Sequence, residues 1–286
     1  MEEKNERGET LKEFLARYDE TKYRRPSNTV DMILLTVLRG KLKVLLVKRK
    51  DHPFIHDWAM PGGFVNFDED LDTAMKRELE EETNLFDSTY FRQLYTFGNA
   101  DRDPRTRVIT TVYLSMTPAE NIKMTSAGDD AMDTGWFTIQ KITTTTDGHE
   151  RKSVLMLDEE EKGIHLRYEI YDTACDNYVQ TRSKLLESSN AKLAADHIKA
   201  INMAIDVVRN RAASTGIMFN LLPKECTLRE IQEVYEAIVN HPVDTGNFRR
   251  DIKKMLVATG NTTIVNGRKV ATYSFNPLLP FVKETL

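Results

Sequence analysis

Apolar positions recur along the chain with two periods, and each change of period marks a new element. Leu11, Phe14, Leu15 and Tyr18 fall at i, i+3, i+4 and i+7 behind Thr10-Leu11-Lys12-Glu13, a capping box, so the spacing predicts a short amphipathic helix. Its apolar stripe calls for packing on the fold that follows or on a second subunit. Arg25-Pro26 breaks the chain, and Thr29 to Leu38 and Leu42 to Val47 are then β-rich runs about Arg39-Gly40-Lys41, a hairpin signal. Trp58-Ala59-Met60-Pro61-Gly62-Gly63 delivers the chain into a segment that reads as helix from about Asp70 to Glu82. Val108 to Met116 reads as a strand, and so does Asp133 to Ile139, with Trp136 and Phe137 on opposite faces. Thr143 to His149 reads as a polar, low-complexity loop. Ser153 to Leu157 and Ile164 to Tyr171 form a hairpin about Glu159-Glu160-Glu161-Lys162-Gly163.

The last third is helical at first. Ser188-Ser189-Asn190 offers caps before Ala194, Ile198, Ile201, Ile205 and Val208, which keep helical spacing to about Ala213. A boundary falls near Ser214-Thr215-Gly216. Thr227-Leu228-Arg229-Glu230 is a second capping box, opening a helix to about Val239 that His241-Pro242 ends. Asp244 or Thr245 caps the next helix, Asn247 to Leu256. Thr262 to Val265 and Lys269 to Phe275 then flank Asn266-Gly267, a tight-hairpin signal. Helix, turn, helix and hairpin in that order make a winged helix.

Charge changes this picture only locally. The 286 residues carry a net charge of −4, which gives no global basic field for nucleic acid. From Lys224 onward, however, nine Lys or Arg stand against seven Asp or Glu, and they concentrate on the helix of Asn247, Arg249, Arg250 and Lys253 and on the wing at Arg268. That placement matches contact with a phosphate backbone, while a solvated face in a domain used for dimerisation is the other reading. Two cysteines, Cys175 and Cys226, lack metal spacing and fit reduced thiols in a cytoplasmic protein. No apolar run approaches the ~20 residues of a membrane span, and the polar, acidic start does not read as a signal peptide.

The candidate chemistry sits on the helix after Gly63. Glu78, Glu81 and Glu82 share one face of it, because residues three and four apart are surface neighbours. Such a set is either a solvated acidic face or a site for a hard divalent cation, Mg²⁺ or Mn²⁺. Gly62-Gly63 is either a tight turn or a place where backbone approaches a phosphate. Arg102, Asp103 and Arg105 form a charged turn whose guanidinium groups suit a diphosphate. Asp196-His197 reads as structural, with no partner visible in the sequence.

Gly63, Glu69, Arg77-Glu78 and Glu81-Glu82, with their aliphatic neighbours at fixed spacing, resemble the Nudix box; the last glycine of that pattern is Asn84 here. Asn is the next residue able to end a helix in the left-handed conformation, so the loop–helix–loop is expected to survive. The resemblance implies metal binding at Glu78, Glu81 and Glu82, catalytic roles for Glu78, Arg77 and Glu82, and substrate contacts at Gly62, Gly63, Arg102, Asp103 and Arg105. With Asn247-Phe248-Arg249-Arg250 and Asn266-Gly267-Arg268, the whole chain resembles the Nudix-related transcriptional regulators of NAD metabolism. The implied fold is α+β, a Nudix mixed sheet sandwiched by helices (α-β-α), followed by a C-terminal winged helix-turn-helix. The implied organisation is an N-terminal helix over 1–24, a Nudix domain over 25–190 with an insertion at about 143–190, a connecting helix over 191–216 and the winged helix over 217–286. The implied function is Mg²⁺-dependent hydrolysis of ADP-ribose or a related nucleoside diphosphate derivative, with operator DNA and a second copy of the chain as partners. A sensor of ADP-ribose with little or no hydrolase activity is the alternative.

Overall fold

The computed structural model describes residues 2–83, 85, 90–122, 131–276 and 278. Its centre is a mixed sheet. Strand β1 (Ser27–Leu38) turns through Arg39 and Gly40, both at positive φ, into β2 (Lys41–Arg49). The short strands β3 (Trp58–Ala59) and β4 (Gly62–Phe64) pair with β2 and β1. On one flank β6 (Val108–Met116) runs parallel to β1 and carries β5 (Tyr90–Phe97) at the edge. On the other flank β7 (Ala131–Asp147), β8 (Glu150–Glu159), β9 (Ile164–Cys175) and β10 (Tyr178–Leu185) follow β2 as an antiparallel meander, giving the order β10-β9-β8-β7-β2-β1-β6-β5.

Successive side chains of a strand point to opposite faces, and β1 is buried on both. Val30, Met32 and Leu34 pack with Ala74, Met75 and Leu79 of helix α2 (Leu71–Thr83). Ile33 and Leu35 face the other way, into a cluster with Ile198, Ile201, Ile205 and Val208 of helix α3 (His197–Ala212). The sheet is therefore sandwiched by α2 and α3, and each such buried aliphatic contributes about 1.5–3 kcal/mol. The α3 cluster continues without a break into the C-terminal part, through Ile217 and Met218 to Ile231, Val234, Ile238, Phe248 and Ile252. There α4 (Leu228–Val239) and α5 (Thr245–Ile252) precede the hairpin β11 (Leu256–Val265) and β12 (Arg268–Phe275), a winged helix. Thr227 closes the expected capping box with Glu230, and Asn240 at φ +63 ends α4. Among the described residues no helix is long and apolar enough to cross a membrane.

Several expectations are corrected. Thr143 to Asp147 is strand rather than loop: it continues β7 and pairs with Lys152, Arg151 and Glu150 of β8. The segment of Asp133 to Ile139 is accordingly an interior part of the sheet, paired with β2 on one side and, at Thr138 and Ile139, with β8 on the other. Trp136 and Phe137 do face opposite ways, Phe137 edge-on to Trp58 at 4.8 Å and Trp136 towards the α2 cluster. Residues 188–196 are not helical, because the backbone of Lys192 and Ala194 is spent on Trp58 in β3. The second winged-helix helix stops at Ile252, and Lys253 lies in a 3₁₀ turn leading directly into a wing strand six residues longer than expected. Helix α1 (Leu11–Arg17) forms with its capping box but buries nothing within the chain; Leu11 is 67% exposed and Leu15 60%. Asn84 lies outside the described residues.

Candidate functional site

A cavity of about 980 Å³ opens where α2, β4, the turn after β5 and the entry to α3 converge. Its walls include Gly62, Gly63, Arg77, Glu78, Glu81, Glu82, Arg102, Asp103 and Arg105, so the structure brings the residues predicted for catalysis, metal and substrate to one place. The glycines are there for steric reasons. At Gly62, with φ +151, a Cβ would lie 2.2 Å from the Val30 carbonyl oxygen; at Gly63 it would lie 2.2 Å from Glu78 Oε1.

Arg77 organises the acidic wall. Its guanidinium donates to Glu69 Oε1 at 2.6 Å and Oε2 at 3.1 Å, to Glu78 Oε1 at 2.7 Å, to Glu81 Oε2 at 3.1 Å and to the Phe64 carbonyl at 3.0 Å. Glu69 also accepts from the Asn66 amide, which closes the loop before α2, and its hydrogen bonds to Arg77 hold its carboxyl down to about 2. Glu78 goes the other way: burial raises its pKa, against the pull of Arg77. A buried carboxylate beside Glu81 and Glu82 supplies an all-oxygen donor set, which fits a hard divalent cation, and the space left by the missing Gly63 side chain admits Glu78 to it. Among the described residues no three His, Cys, Asp or Glu are grouped closely enough to hold an ion as they stand, while Glu78 and Glu81 meet at one nitrogen, Arg77 Nη1.

The lining also carries arginines. Arg105 lies over the Phe64 ring at 5.6 Å and pairs with Asp103 of its own turn at 2.8 Å, which holds the Asp103 pKa below the usual range. Arg102, with a side chain only 6% exposed, donates to Asp196 through Nη2 at 2.9 Å and Nε at 3.3 Å. Asp31, whose Oδ2 accepts from Thr110 at 2.6 Å, lies 4.0 Å from Arg102. The neighbouring His197 is buried, its Nδ1 accepting the Met60 amide at 2.9 Å, and burial lowers its pKa. Asp196 and His197 therefore do have partners, both brought from distant segments. Lys48, Arg49, Lys50, His52 and Phe54 also line the cavity and were not singled out from the sequence, although the run Lys48-Arg49-Lys50 is visible in it.

The second candidate site is the exposed side of the winged helix. Phe248, Ile252 and Met255 point into the core, with Phe248 against Tyr235 at 5.2 Å, and this turns Asn247, Arg249, Arg250, Lys253 and Lys254 to solvent. Asn266 and Gly267, at φ +48 and +75, make the tight turn that exposes Arg268 and Lys269 at the wing tip.

A loop–helix–loop that carries carboxylates into a cavity also lined by arginines, on a sheet between helices, defines a Nudix domain; here it is joined to a winged helix. The NUDIX domain family model matches residues 27–157, and that of the NrtR DNA-binding winged helix domain matches residues 218–275. The ADP-ribose pyrophosphatase of Methanocaldococcus jannaschii is 34% identical over 143 residues, which are 49% of this chain and 80% of that protein. The chain belongs to the Nudix family, and its C-terminal part is a winged helix of the NrtR type. Two further likenesses run nearly end to end. The ADPR responsive transcriptional repressor NtrR of Acinetobacter baylyi is 28% identical over 92% of this chain and 87% of its own. The crystal structure of a MutT/nudix family protein from Enterococcus faecalis is 28% identical with a TM-score of 0.69 over 95% of both chains. That of Shewanella oneidensis NrtR complexed with a 27mer DNA is 26% identical with a TM-score of 0.61, over 87% of this chain and 93% of that one.

Proposed function

We propose that the protein hydrolyses a nucleoside diphosphate linked to another group, with ADP-ribose the leading substrate, and that its winged helix binds operator DNA under control of the same ligand. The observation that carries the hydrolytic half is that one cavity is lined both by the carboxylates of α2 and by the arginines at 102 and 105. Glu78, Glu81 and Glu82 would hold Mg²⁺ or Mn²⁺, which when bound neutralises the diphosphate and makes its water more acidic. The chain's own residues do the rest. Arg102 and Arg105 bind the diphosphate through forked hydrogen bonds, and the bare backbone of Gly62 and Gly63 lets phosphate approach closely. Arg77 orients Glu78 and Glu81. Glu78, as metal ligand or base, and Glu82 position the water that attacks phosphorus; the water gives up its proton to a carboxylate of this face, the diphosphate P–O bond breaks and AMP leaves with ribose 5-phosphate. Release of AMP from ADP-ribose with Mg²⁺ or Mn²⁺ tests this, and an intact substrate together with intact nucleotide sugars and dinucleotides would refute it.

One observation favours the second reading, a sensor with little or no turnover. A repressor from A. baylyi is similar over most of the chain. Under either reading the organisation is an N-terminal helix to residue 24, a nucleotide-handling domain to 190, a connecting helix to 216 and a DNA-reading domain. A cytoplasmic homodimer, placing two wings on two half-sites, suits such a reader. Sedimentation at the mass of one chain at micromolar concentration would count against the dimer.

A further inference from the structure

Of Arg77, Arg102 and Arg105, the first is held within the Nudix box and the last by Asp103 of its own turn. Arg102 differs. Its partner Asp196 stands at the entry of α3, the helix whose apolar face is shared by the sheet and the winged helix. Next to it His197 receives the Met60 amide, two residues before Gly62, so the start of α3 is pinned to two segments of the cavity lining, the arginine turn and the chain that leads to Gly62. Ala195, just before, is held at φ +43, a conformation that non-glycine residues keep only where surrounding contacts impose it. About 20 Å further along the same helix, Arg209 donates to the Ile238 carbonyl in the last turn of α4 at 2.9 Å and to the Lys141 carbonyl of β7 at 3.1 Å. One rigid helix thus touches the cavity at one end and the winged helix at the other.

We propose that Asp196 is a positioning residue that occupies Arg102 in place of an anionic ligand, and that transfer of Arg102 from Asp196 to a ligand phosphate loosens the seat of α3 and so reports occupancy to the winged helix. This rests on the reading that a nucleotide controls DNA binding. A carboxylate and a phosphate compete for the same fork of N–H donors, so the two states exclude each other at Arg102. Because coupling is reciprocal, removing the carboxylate should favour the ligand and disfavour the DNA-competent state together.

The test uses the full chain in EDTA without divalent ions, so that ADP-ribose is not turned over, and compares the native protein with Asp196→Asn and Asp196→Ser. Serine is itself a good helix N-cap, so a phenotype shared by both variants is not a defect of the helix end. Calorimetry should show ADP-ribose binding tighter by about fivefold or more in both variants. Anisotropy on a duplex from upstream of the protein's own gene should show ligand-free variants binding DNA as weakly as the ligand-saturated native protein, with no further response to ADP-ribose. Native-like coupling in the variants, or ADP-ribose affinity unchanged or weakened, would overturn the role of Asp196 and leave ligand control of DNA intact. A native protein whose DNA affinity ignores ADP-ribose would overturn both.

Discussion

The Glu78 carboxylate occupies the space in which a side chain on residue 63 would begin, with Oε1 2.2 Å from the position of that missing Cβ. Glu78 is buried there and simultaneously bound by Arg77, so it cannot move aside without losing that hydrogen bond. Gly63→Ala should therefore displace the carboxylate. A misplacement of about 1 Å can cost about 10²-fold in rate, and steady-state AMP release should show a fall of that order while the circular dichroism spectrum stays native.

Carboxylate position along α2 gives a sharper comparison. Glu78 and Glu82 line the cavity, whereas Glu80 is exposed on another face of the helix. Glu78→Gln and Glu82→Gln remove charge at nearly constant volume and should each lower kcat by about 10²-fold or more, with Glu80→Gln unchanged. Equal activity across the three variants would sink the assignment of this helix face to catalysis.

His197 predicts a pH dependence of stability. Burial lowers its folded-state pKa below the ordinary 6.5, against a partial opposing pull from Asp31 and Asp196. Above 6.5 both folded and unfolded chains carry it neutral and its contribution is constant; as pH falls through 6.5 the unfolded chain takes up a proton that the folded one refuses, and stability drops. One proton sets the ceiling on that loss, about 1.4 kcal/mol per pH unit. His197→Asn keeps an acceptor for the Met60 amide and abolishes the titration, so urea unfolding of the variant should lack that fraction of the acid sensitivity.

These residues also mark what can be read from a sequence. The box helix was legible because its signal is local: carboxylates three and four apart share a face whatever surrounds them. Both capping boxes and the Asn266-Gly267 turn are local in the same sense, and all three form as expected. The Thr143 to Asp147 run was misread because polar threonines resemble a loop, while their strand identity comes from pairing with β8. The start of α3 was misplaced because good helix caps at 188–190 lost to a bridge between Leu193 and Trp58. Asp196 and His197 looked merely structural because their partners, Arg102 and Met60, are remote in the chain and leave no trace in local spacing.

The last prediction concerns DNA. Burying Phe248, Ile252 and Met255 leaves Arg249 exposed on α5, and the tight turn at Asn266-Gly267 leaves Arg268 exposed on the wing, so the winged helix presents cations from two separate elements. Among the described residues neither arginine is paired with a carboxylate, whereas Arg250 meets Asp251 and Arg229 meets Glu233. Each cation that neutralises a phosphate releases counterions, so Arg249→Ala and Arg268→Ala should each reduce the slope of log K against log salt by about 1. If Arg249 also reads a base edge, its removal should in addition narrow the gap between cognate and scrambled duplexes, by about 1–3 kcal/mol, whereas loss of Arg268 at the backbone should weaken both duplexes alike. Arg182, exposed on β10 outside the winged helix, serves as the control and should leave the slope untouched. Slopes that do not respond to either winged-helix variant would assign this surface to packing between proteins and leave the chain a Nudix protein without a DNA-reading face.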